Sequence, residues 1–230
     1  MPSDIPKVPV HVGFIMDGNR RWARANGIDY EQAYHKGMAA LEALVERASQ
    51  LGVKFITAYT FSTENWNRPK IEVDLLMRLF EFYLAERVHK LHEKNVRLRV
   101  IGRIEEFSKN IQNKLHEHVE LTKDNTAITL TLALNYGGHA EIVDAAKQLI
   151  LSGAKEITAE KLRSAMYDPS QPPVDLIIRT SGEKRTSGFM LWHADYAELC
   201  FLEKNWPELT AVDLDAALED YAQRKRNFGA

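Results

Sequence analysis

An aspartate and two arginines directly follow a short apolar run near the start of the sequence. Residues 12–16, VGFIM, have the composition of a buried strand, and the polar stretch after them is Asp17, Gly18, Asn19, Arg20 and Arg21. Glycine allows close approach to the backbone, and asparagine is a good N-cap for a helix. One carboxylate, two guanidinium groups and free helix N–H groups suit an anion that brings a divalent cation. The stretch indicates a phosphorylated or diphosphorylated substrate; the alternative is an ordinary strand–turn–helix with a surface aspartate.

The composition limits the classes of protein that need to be considered. The chain has 230 residues, enough for one well-buried domain, and we predict a single domain over residues 1–230. Its net charge of -2 provides no basic field to recruit nucleic acid. A single cysteine, Cys200, excludes a disulfide framework and favours a reducing, cytoplasmic location. No apolar run approaches the ~18 residues of a membrane span, although peripheral contact with a membrane surface stays open.

Strands and helices alternate along the sequence. Runs rich in β-branched and aromatic residues predict strands at 12–16, 53–61, 96–101, 128–134, 174–178, 189–192 and 199–202. Apolar residues at helical spacing predict helices at 31–51, 69–95, 104–123, 140–151, 159–166 and 209–226, after a short first helix. This order is typical of an α/β fold with a mainly parallel central sheet flanked by helices.

Polar loops follow four of the predicted strands and begin at Asp17, Ser62, Asn135 and Arg179. Because ligands of such sheets bind outside the carboxyl ends of the strands, we expect these loops to meet at one edge. The candidate site residues in and near the loops are Asp17, Arg21, Ser62, Asn65, Arg68, Arg179, Arg185, Ser187 and Glu198. This set suits diphosphates held with a metal. Without a GxxxxGK[ST] run, a nucleotide kinase is not indicated.

Two further features of the sequence can be explained either by a functional role or by the structure alone. The helix predicted at 69–95 is apolar over more than one stripe, so it is either core or one wall of a channel for a hydrocarbon tail; composition alone favours core. Two histidine pairs, His89 with His92 and His116 with His118, lie on predicted helices. We interpret them as solvated helix faces rather than metal ligands.

Five ordered motifs carry a family resemblance over residues 11–228. They are HVGFIMDGNRRWA, FSTENWNRP, VRLRVIG, ALNYGG, and RTSGEKRTSGFMLW followed by DYAELCF. Together they resemble the cis-prenyltransferases. The resemblance implies a magnesium-dependent enzyme, typically a homodimer, that condenses isopentenyl diphosphate with an allylic diphosphate and forms Z double bonds. It also implies a tunnel between helices and sheet, which raises the channel interpretation above the core interpretation.

The resemblance implies a role for each matching residue. Asp17 is expected to bind magnesium and help the allylic diphosphate leave, with Glu198 as second metal ligand, and Gly18, Asn19, Arg20 and Arg21 to cradle that diphosphate. Asn65 with Ser62 is expected near the proton that isopentenyl diphosphate loses, although a diphosphate oxygen is the better base. Trp22 and Trp66 are expected to shield a carbocation from water. The remaining expected substrate contacts are Thr63, Glu64 and Arg68, with Arg179, Arg185, Thr186 and Ser187 for isopentenyl diphosphate.

Departures from the family pattern leave alternatives open. Tyr30 and Tyr34 stand where the family usually has arginine and histidine, with His35 displaced by one position. Tyrosine brings no positive charge at pH 7, so two diphosphate contacts are missing. Thr60 replaces a frequent alanine and favours a shorter product; Gly188, Asn227 and Ala230 are milder changes. Besides regular elongation, the alternatives are irregular condensation of dimethylallyl units to a branched or cyclic lavandulyl-type diphosphate and a non-catalytic partner subunit.

Overall fold

Six parallel strands form the centre of the protein. The structure is a computed structural model that describes residues 8–225. The strands are β1 (His11–Ile15), β2 (Phe55–Ser62), β3 (Val96–Ile101), β4 (Ile128–Tyr136), β5 (Leu176–Arg179) and β6 (Glu198–Phe201). Their order in the sheet is β3-β4-β2-β1-β5-β6, and every neighbouring pair is parallel. The predicted α/β fold with a mainly parallel sheet is confirmed.

Eight helices connect and cover these strands within the described residues. They are α1 (Asn19–Asn26), α2 (Tyr30–Gln50), α3 (Lys70–Glu86), α4 (Val88–Glu93), α5 (Lys109–Thr122), α6 (Gly138–Leu151), α7 (Ala159–Ser164) and α8 (Ala211–Gln223). Short 3-10 turns occur at Thr63–Asn67, Ile104–Glu106 and Trp206–Glu208. Among residues 8–225, no helix is both long and apolar enough to cross a membrane.

Two predicted helices are interrupted and one is shorter than predicted. The helix expected at 69–95 is divided into α3 and α4 at Arg87, whose φ of -115° departs from helical values. The helix expected at 104–123 begins as a 3-10 turn, and α5 starts after Ser108, whose hydroxyl accepts the Ile111 N–H at 3.3 Å. The closing helix ends at Gln223. The predicted end at Arg226, and the changes at Asn227 and Ala230, lie outside the described residues.

The strand predicted at 189–192 is wrong. Ser187, Gly188 and Met190 have φ values of +50°, +75° and +51°, which an extended strand does not allow. Phe189 and Met190 are fully buried and pack beside Ile15 on one face of the sheet. The apolar composition of this segment therefore reflects core packing within a turn rather than strand pairing.

The two faces of the sheet carry separate cores. The larger core includes Phe14, Leu44 and Trp206, and the smaller one includes Ile15 and Phe189. Every residue of β1 is buried, as expected for an interior parallel strand covered on both faces.

The interpretation of His118 as part of a solvated helix face is wrong. His118 on α5 is only 4% exposed, and its Nε2 donates to the Leu84 carbonyl of α3 at 2.5 Å. The reason is that α5 packs against α3, so this face of α5 turns towards the core.

A buried histidine lies at the start of β1. His11 Nδ1 donates to the Pro172 carbonyl at 2.9 Å, so Nε2 accepts from the Thr57 hydroxyl at 2.9 Å. Burial lowers the pKa of His11 to about 4, although the Pro172 carbonyl and the charge of Asp175 act in the opposite direction. The fold therefore holds this imidazole neutral, whereas the unfolded chain protonates it near its ordinary pKa.

Replacing His11 should reduce the acid sensitivity of the fold. Stabilisation from a neutral His11 is complete above the unfolded pKa of about 6.5 and decreases as the pH falls towards 4, by about 3 kcal/mol in total. Urea unfolding at pH 7 and pH 4 should thus show a loss about 3 kcal/mol larger for the unmodified protein than for His11→Asn. Equal losses in the two proteins would contradict this assignment.

Candidate active site

The predicted loops meet at the carboxyl edge of the sheet. A cavity of about 550 Å³ opens between the ends of β1, β2, β4 and β5, and we call it the large cavity because it exceeds the two neighbouring cavities described below. Its lining includes Asp17, Tyr59, Ser62, Thr63, Glu64, Asn65, Arg68, Gly137, Gly138, His139, Arg179 and Ser187. The expected convergence of these loops is confirmed, because all four strands end at this edge.

An ion pair joins the ends of β1 and β5. Arg179 Nη2 donates to Asp17 Oδ2 at 2.9 Å, and its Nη1 donates to the Ser187 hydroxyl at 2.8 Å and the Arg185 carbonyl at 2.6 Å. Burial alone would raise the pKa of the Asp17 carboxyl, but the hydrogen bond and charge of Arg179, helped by Arg21, hold it below its ordinary value. Asp17 is therefore ionised at neutral pH. Arg179 is 96% buried, and its Nε has no partner among the described residues, a condition that a bound anion would relieve.

The turn after β1 requires glycine. Gly18 has a φ of +103°, and a Cβ there would lie 2.5 Å from Asn205 Oδ1 and 2.8 Å from Ser181 Oγ. The Gly18 N–H donates to Asp17 Oδ1 at 2.9 Å and orients this carboxylate. Asn19 is not the N-cap, as the sequence suggested, because Gly18 occupies that position and Asn19 is the first residue of α1.

A second cavity adjoins the first and is rich in arginine. This arginine cavity of about 210 Å³ is lined by Arg20, Arg21, Arg24 and Arg68, together with Asp17, Gly18, Asn19 and Tyr34. Guanidinium groups bind phosphate oxygens through charge-assisted hydrogen bonds. Four of them around one cavity suit a diphosphate.

Glu72 is a site residue that the sequence reasoning missed. It lies in the first turn of α3, is 6% exposed, and accepts from Arg20 Nη1 at 2.7 Å and from Arg68 Nη1 at 2.8 Å. Arg68 Nη1 also lies 3.5 Å from the Tyr34 hydroxyl. The four-residue spacing between Arg68 and Glu72 is a sequence signal for this pair. No local pattern predicts that Arg20 joins them.

Two of the predicted polar residues, Ser62 and Asn65, are positioned by the segment that follows β2. Asn65 Oδ1 accepts the Ser62 N–H at 3.2 Å, and the Ser62 side chain in turn caps the 3-10 turn Thr63–Asn67. Asn65 lines both the large cavity and the arginine cavity. Its position between them matches a group that contacts two substrates.

Arg21 and Arg185 are more exposed than the other predicted arginines. Arg21 lies 3.3 Å from Asp17 and 3.0 Å from Glu183, while the Arg185 side chain also pairs with Glu183. Arg185 and Thr186 do not line the large cavity or the arginine cavity. Arg185 contributes to the site through its backbone carbonyl, which accepts a hydrogen bond from the Arg179 guanidinium.

The structure places the two tryptophans outside the large cavity and the arginine cavity, and their shielding role stays a prediction. Trp66 Nε1 donates to Asn135 Oδ1 at 2.8 Å, and its ring packs 4.9 Å from Phe61. Trp22 lies under Lys36, whose Nζ is 5.9 Å from the ring centroid. Neither residue lines the large cavity or the arginine cavity. Their positions indicate support of the loop and of α1 rather than contact with substrate.

Glu198 does not lie beside Asp17 in this chain. It pairs in register with Leu176 at the amino end of β5, whereas Arg179 and Asp17 lie at the carboxyl end, about 10 Å along the strand. Glu198 instead pairs with Arg224 Nη1 at 2.8 Å. The two carboxylates expected to share a metal are therefore not brought together within one chain, because the sequence motif does not reveal at which end of β6 the glutamate falls.

An apolar cavity lies between α2 and α3, where the resemblance predicts a tunnel. It has a volume of about 70 Å³ and is lined mainly by apolar and aromatic residues that include Met38, Leu76, Leu79, Phe80 and Tyr83. Tyr83 and His35 share a hydrogen bond of 2.7 Å between α3 and α2. Thr60 lines this cavity and the arginine cavity, so it lies at the boundary between the two.

Neutralising Glu72 should tighten anion binding. Glu72→Gln keeps the shape of the side chain but removes the charge with which a diphosphate competes for Arg20 and Arg68. We expect the Kd of inorganic pyrophosphate, measured by calorimetry, to fall by about threefold to tenfold. Asp74→Asn, which removes an exposed carboxylate from the same helix, should leave the Kd unchanged. Weaker binding by Glu72→Gln would show that Glu72 acts mainly by orienting the arginines.

Comparisons with known proteins agree with this geometry. Residues 15–229 match the family model described as "Putative undecaprenyl diphosphate synthase". The chain is 44% identical to the ditrans,polycis-undecaprenyl-diphosphate synthase ((2E,6E)-farnesyl-diphosphate specific) of Pasteurella multocida, over 98% of this chain and 97% of that protein. It is 42% identical to an isoprenyl transferase of Rickettsia sibirica, over 95% and 97% of the two chains.

A solved structure shows the same fold. The crystal structure of lavandulyl diphosphate synthase from Lavandula x intermedia in complex with dimethylallyl diphosphate superimposes with a TM-score of 0.93 at 32% identity, and it covers 98% of this chain and 100% of that one. Together with the sequence matches, this shows that the chain belongs to the undecaprenyl diphosphate synthase family of prenyltransferases.

Proposed function

We propose that this prenyltransferase condenses isopentenyl diphosphate with an allylic diphosphate and yields a Z-prenyl diphosphate. The observation that carries the proposal is the Asp17–Arg179 ion pair, since Asp17 lies between the arginine cavity and the large cavity. One cavity would take the diphosphate that leaves and the other the diphosphate that stays. An apolar cavity directly beside them would take the hydrocarbon tail.

The proposed reaction needs positive charge around the leaving group. The C–O bond of the allylic diphosphate breaks, and its electron pair departs with the diphosphate. Arg20, Arg21, Arg24 and Arg68 stabilise the negative charge that develops there. The double bond of isopentenyl diphosphate then supplies the electrons of the new C–C bond, and a proton leaves the adjacent carbon.

The acceptor would be held in the large cavity. Arg179 and Ser187 are already joined by a hydrogen bond at its wall and present a guanidinium and a hydroxyl for a second diphosphate. Asn65 faces both cavities, but its amide is a poor base. We assign the proton to an oxygen of the departing diphosphate, with Asn65 orienting the acceptor.

Magnesium fits the donor set around Asp17. The carboxylate is about one-third exposed, ionised, and held by Gly18 and Arg179, with lone pairs to spare. Magnesium commonly binds one or two carboxylates together with phosphate oxygens and water. Bound there, the ion would neutralise charge on the leaving diphosphate. Glu198 would not contribute from the same chain.

Irregular condensation of two dimethylallyl units is the second candidate. It is favoured by the structural match to lavandulyl diphosphate synthase and by the tyrosines, since Tyr30 accepts from Arg24 and Tyr34 lies near Arg68 instead of adding charge. Regular elongation is favoured by the higher identity to the farnesyl-specific relative and by the ordered Ser62–Asn65 turn. The ion-paired Asp17 speaks against a non-catalytic subunit.

The homodimer, the cytoplasmic location and peripheral membrane contact for product release stay predictions.

Product analysis with an Asp17 variant tests the proposal. With magnesium, isopentenyl diphosphate and dimethylallyl, geranyl or farnesyl diphosphate, the unmodified protein should form linear Z products, whereas a branched product from dimethylallyl diphosphate alone would support the second candidate.

Asp17→Asn should lower kcat by about 100-fold or more, because it removes the charge that organises Arg179 and any metal. Circular dichroism checks that it folds, and the exposed Asp124→Asn is the control. Undiminished turnover by Asp17→Asn would refute the role of Asp17.

Removing bulk at Thr60 should lengthen the product. The Thr60 hydroxyl donates to the Ala58 carbonyl at 3.1 Å, and Thr60 lies at the boundary between the arginine cavity and the apolar cavity. Each isoprene unit that finds room gains roughly 3 to 4 kcal/mol from burial of five carbons. Mass spectrometry of Thr60→Ala products should show chains longer by one or more units, with Thr126→Ala unchanged. An identical distribution would exclude Thr60 from length control.

A further inference from the structure

The apolar cavity between α2 and α3 is small for a site that takes a hydrocarbon tail. Its volume is about 70 Å³, whereas pockets that enclose an organic ligand commonly have about 300 to 1,000 Å³. Helix α3 lines it with Leu76, Leu79, Phe80 and Tyr83, and Leu76 also lines the arginine cavity. Of these four residues, Tyr83 lies furthest along α3 from the arginines that would hold the diphosphate.

The distance along α3 indicates the length of tail that fits. From Leu76 to Tyr83 the helix advances seven residues, or about 10 Å at about 1.5 Å per residue. An extended isoprene unit covers about 5 Å, because its four carbon–carbon bonds of about 1.5 Å follow a zigzag path. A tail that passes Leu76 therefore reaches Tyr83 after about two units.

The Tyr83 side chain bridges α3 and α2 at this depth. It is 8% exposed, and its hydroxyl lies 2.7 Å from Nδ1 of His35 on α2. Its ring also packs against the rings of His35 and Phe82, each at a centroid distance of 5.5 Å. A phenol that is hydrogen-bonded at its tip and packed against two rings has little freedom to turn away from an entering tail.

His35 is suited to hold this phenol. Its Nε2 lies 3.9 Å from the Glu31 carboxylate, which favours a proton on Nε2 and leaves Nδ1 to accept from the Tyr83 hydroxyl. Burial raises the pKa of Tyr83 to about 12, so the hydroxyl keeps the proton that it donates at neutral pH. The histidine that stands one position away from the family pattern thus joins α2 to α3.

We propose that Tyr83, held in place by His35, is the floor of the tail cavity and restricts this enzyme to short products of two or three isoprene units. The inference rests on the proposed function and specifies its class of product. A longer tail would have to displace the Tyr83 ring. Displacement breaks the hydrogen bond with His35 and exposes the ring to water, and these losses offset the gain from burying a further unit.

A binding series on the unmodified protein tests the floor without requiring turnover. The probes are the dimethylallyl, geranyl and farnesyl thiolodiphosphates, titrated by calorimetry with magnesium and without isopentenyl diphosphate. The geranyl compound should bind about tenfold more tightly than the dimethylallyl compound, because its second unit is buried. The farnesyl compound should bind within about threefold of the geranyl compound. A larger gain from geranyl to farnesyl would overturn the proposal.

Removing the Tyr83 ring should open the cavity. In Tyr83→Ala, the farnesyl compound should bind about tenfold more tightly than the geranyl compound, and mass spectrometry should show products longer by two or more units. Tyr83→Leu, which keeps an apolar side chain, should act in the same direction and serves if Tyr83→Ala does not fold. Unchanged affinity ratios and products in a folded variant would overturn the proposal.

Removing only the hydrogen bond tests His35 as a positioning residue. Tyr83→Phe and His35→Ala both abolish this bond and leave an aromatic ring at position 83, so each should lengthen the products by about one unit. Because they remove the same interaction, the double variant should show no further lengthening. Additive effects, or no effect of His35→Ala, would overturn the role of His35.

Phe82→Ala is the matched control. Phe82 is the neighbour of Tyr83 on α3 and is 45% exposed, so this variant removes a similar ring from the solvent side of the helix. Its products should match those of the unmodified protein, and longer products would show that general loosening of α3 accounts for the effect. Absence of product with every allylic diphosphate would refute the proposed function, while the binding series would still decide the role of Tyr83.

Discussion

The ion pair between Asp17 and Arg179 is the interaction on which the rest of the site depends. Parallel pairing of β1 with β5 sets Ile15 opposite Arg179, so the aspartate two residues beyond the strand comes within reach of the guanidinium. A buried arginine without a carboxylate partner would be costly, and an isolated carboxylate there would tend to protonate. Arg179 thus keeps Asp17 ionised, and Asp17 supplies the buried guanidinium with a counter-charge; the Gly18 N–H orients Asp17 towards this partner.

The arginines of the site form two sets that differ in how firmly their partners hold them. Arg179 is buried and held by three hydrogen bonds from its two terminal nitrogens, so its position is fixed. Arg20 and Arg68 instead share the carboxylate of Glu72, which a more highly charged ligand can displace. Under the proposed function the site holds one diphosphate and releases another, and this difference suits that task because the more weakly held set does not bind the leaving group too tightly.

Local pattern predicted the fold well, since the strand at Val96–Ile101 agrees exactly and the loops after β1, β2 and β5 converge as expected. It failed where contacts between residues far apart in the sequence determine the structure. The left-handed backbone at Met190 has no signal in residue type. The position of Trp66 depends on its hydrogen bond to Asn135, and the position of Glu198 depends on the end of β6 at which it falls. The partnership of Arg20 with Glu72 spans 52 residues and appears only when α1 and α3 come together.

Helix α3 serves both ends of the proposed allylic substrate. Its first turn carries Glu72 beneath the arginines, and further along it Leu76, Leu79 and Tyr83 line the apolar cavity. Under the proposed function, the position of this one helix therefore sets both the site for the head group and the space for the tail, so primer choice and product length depend on the same structural element.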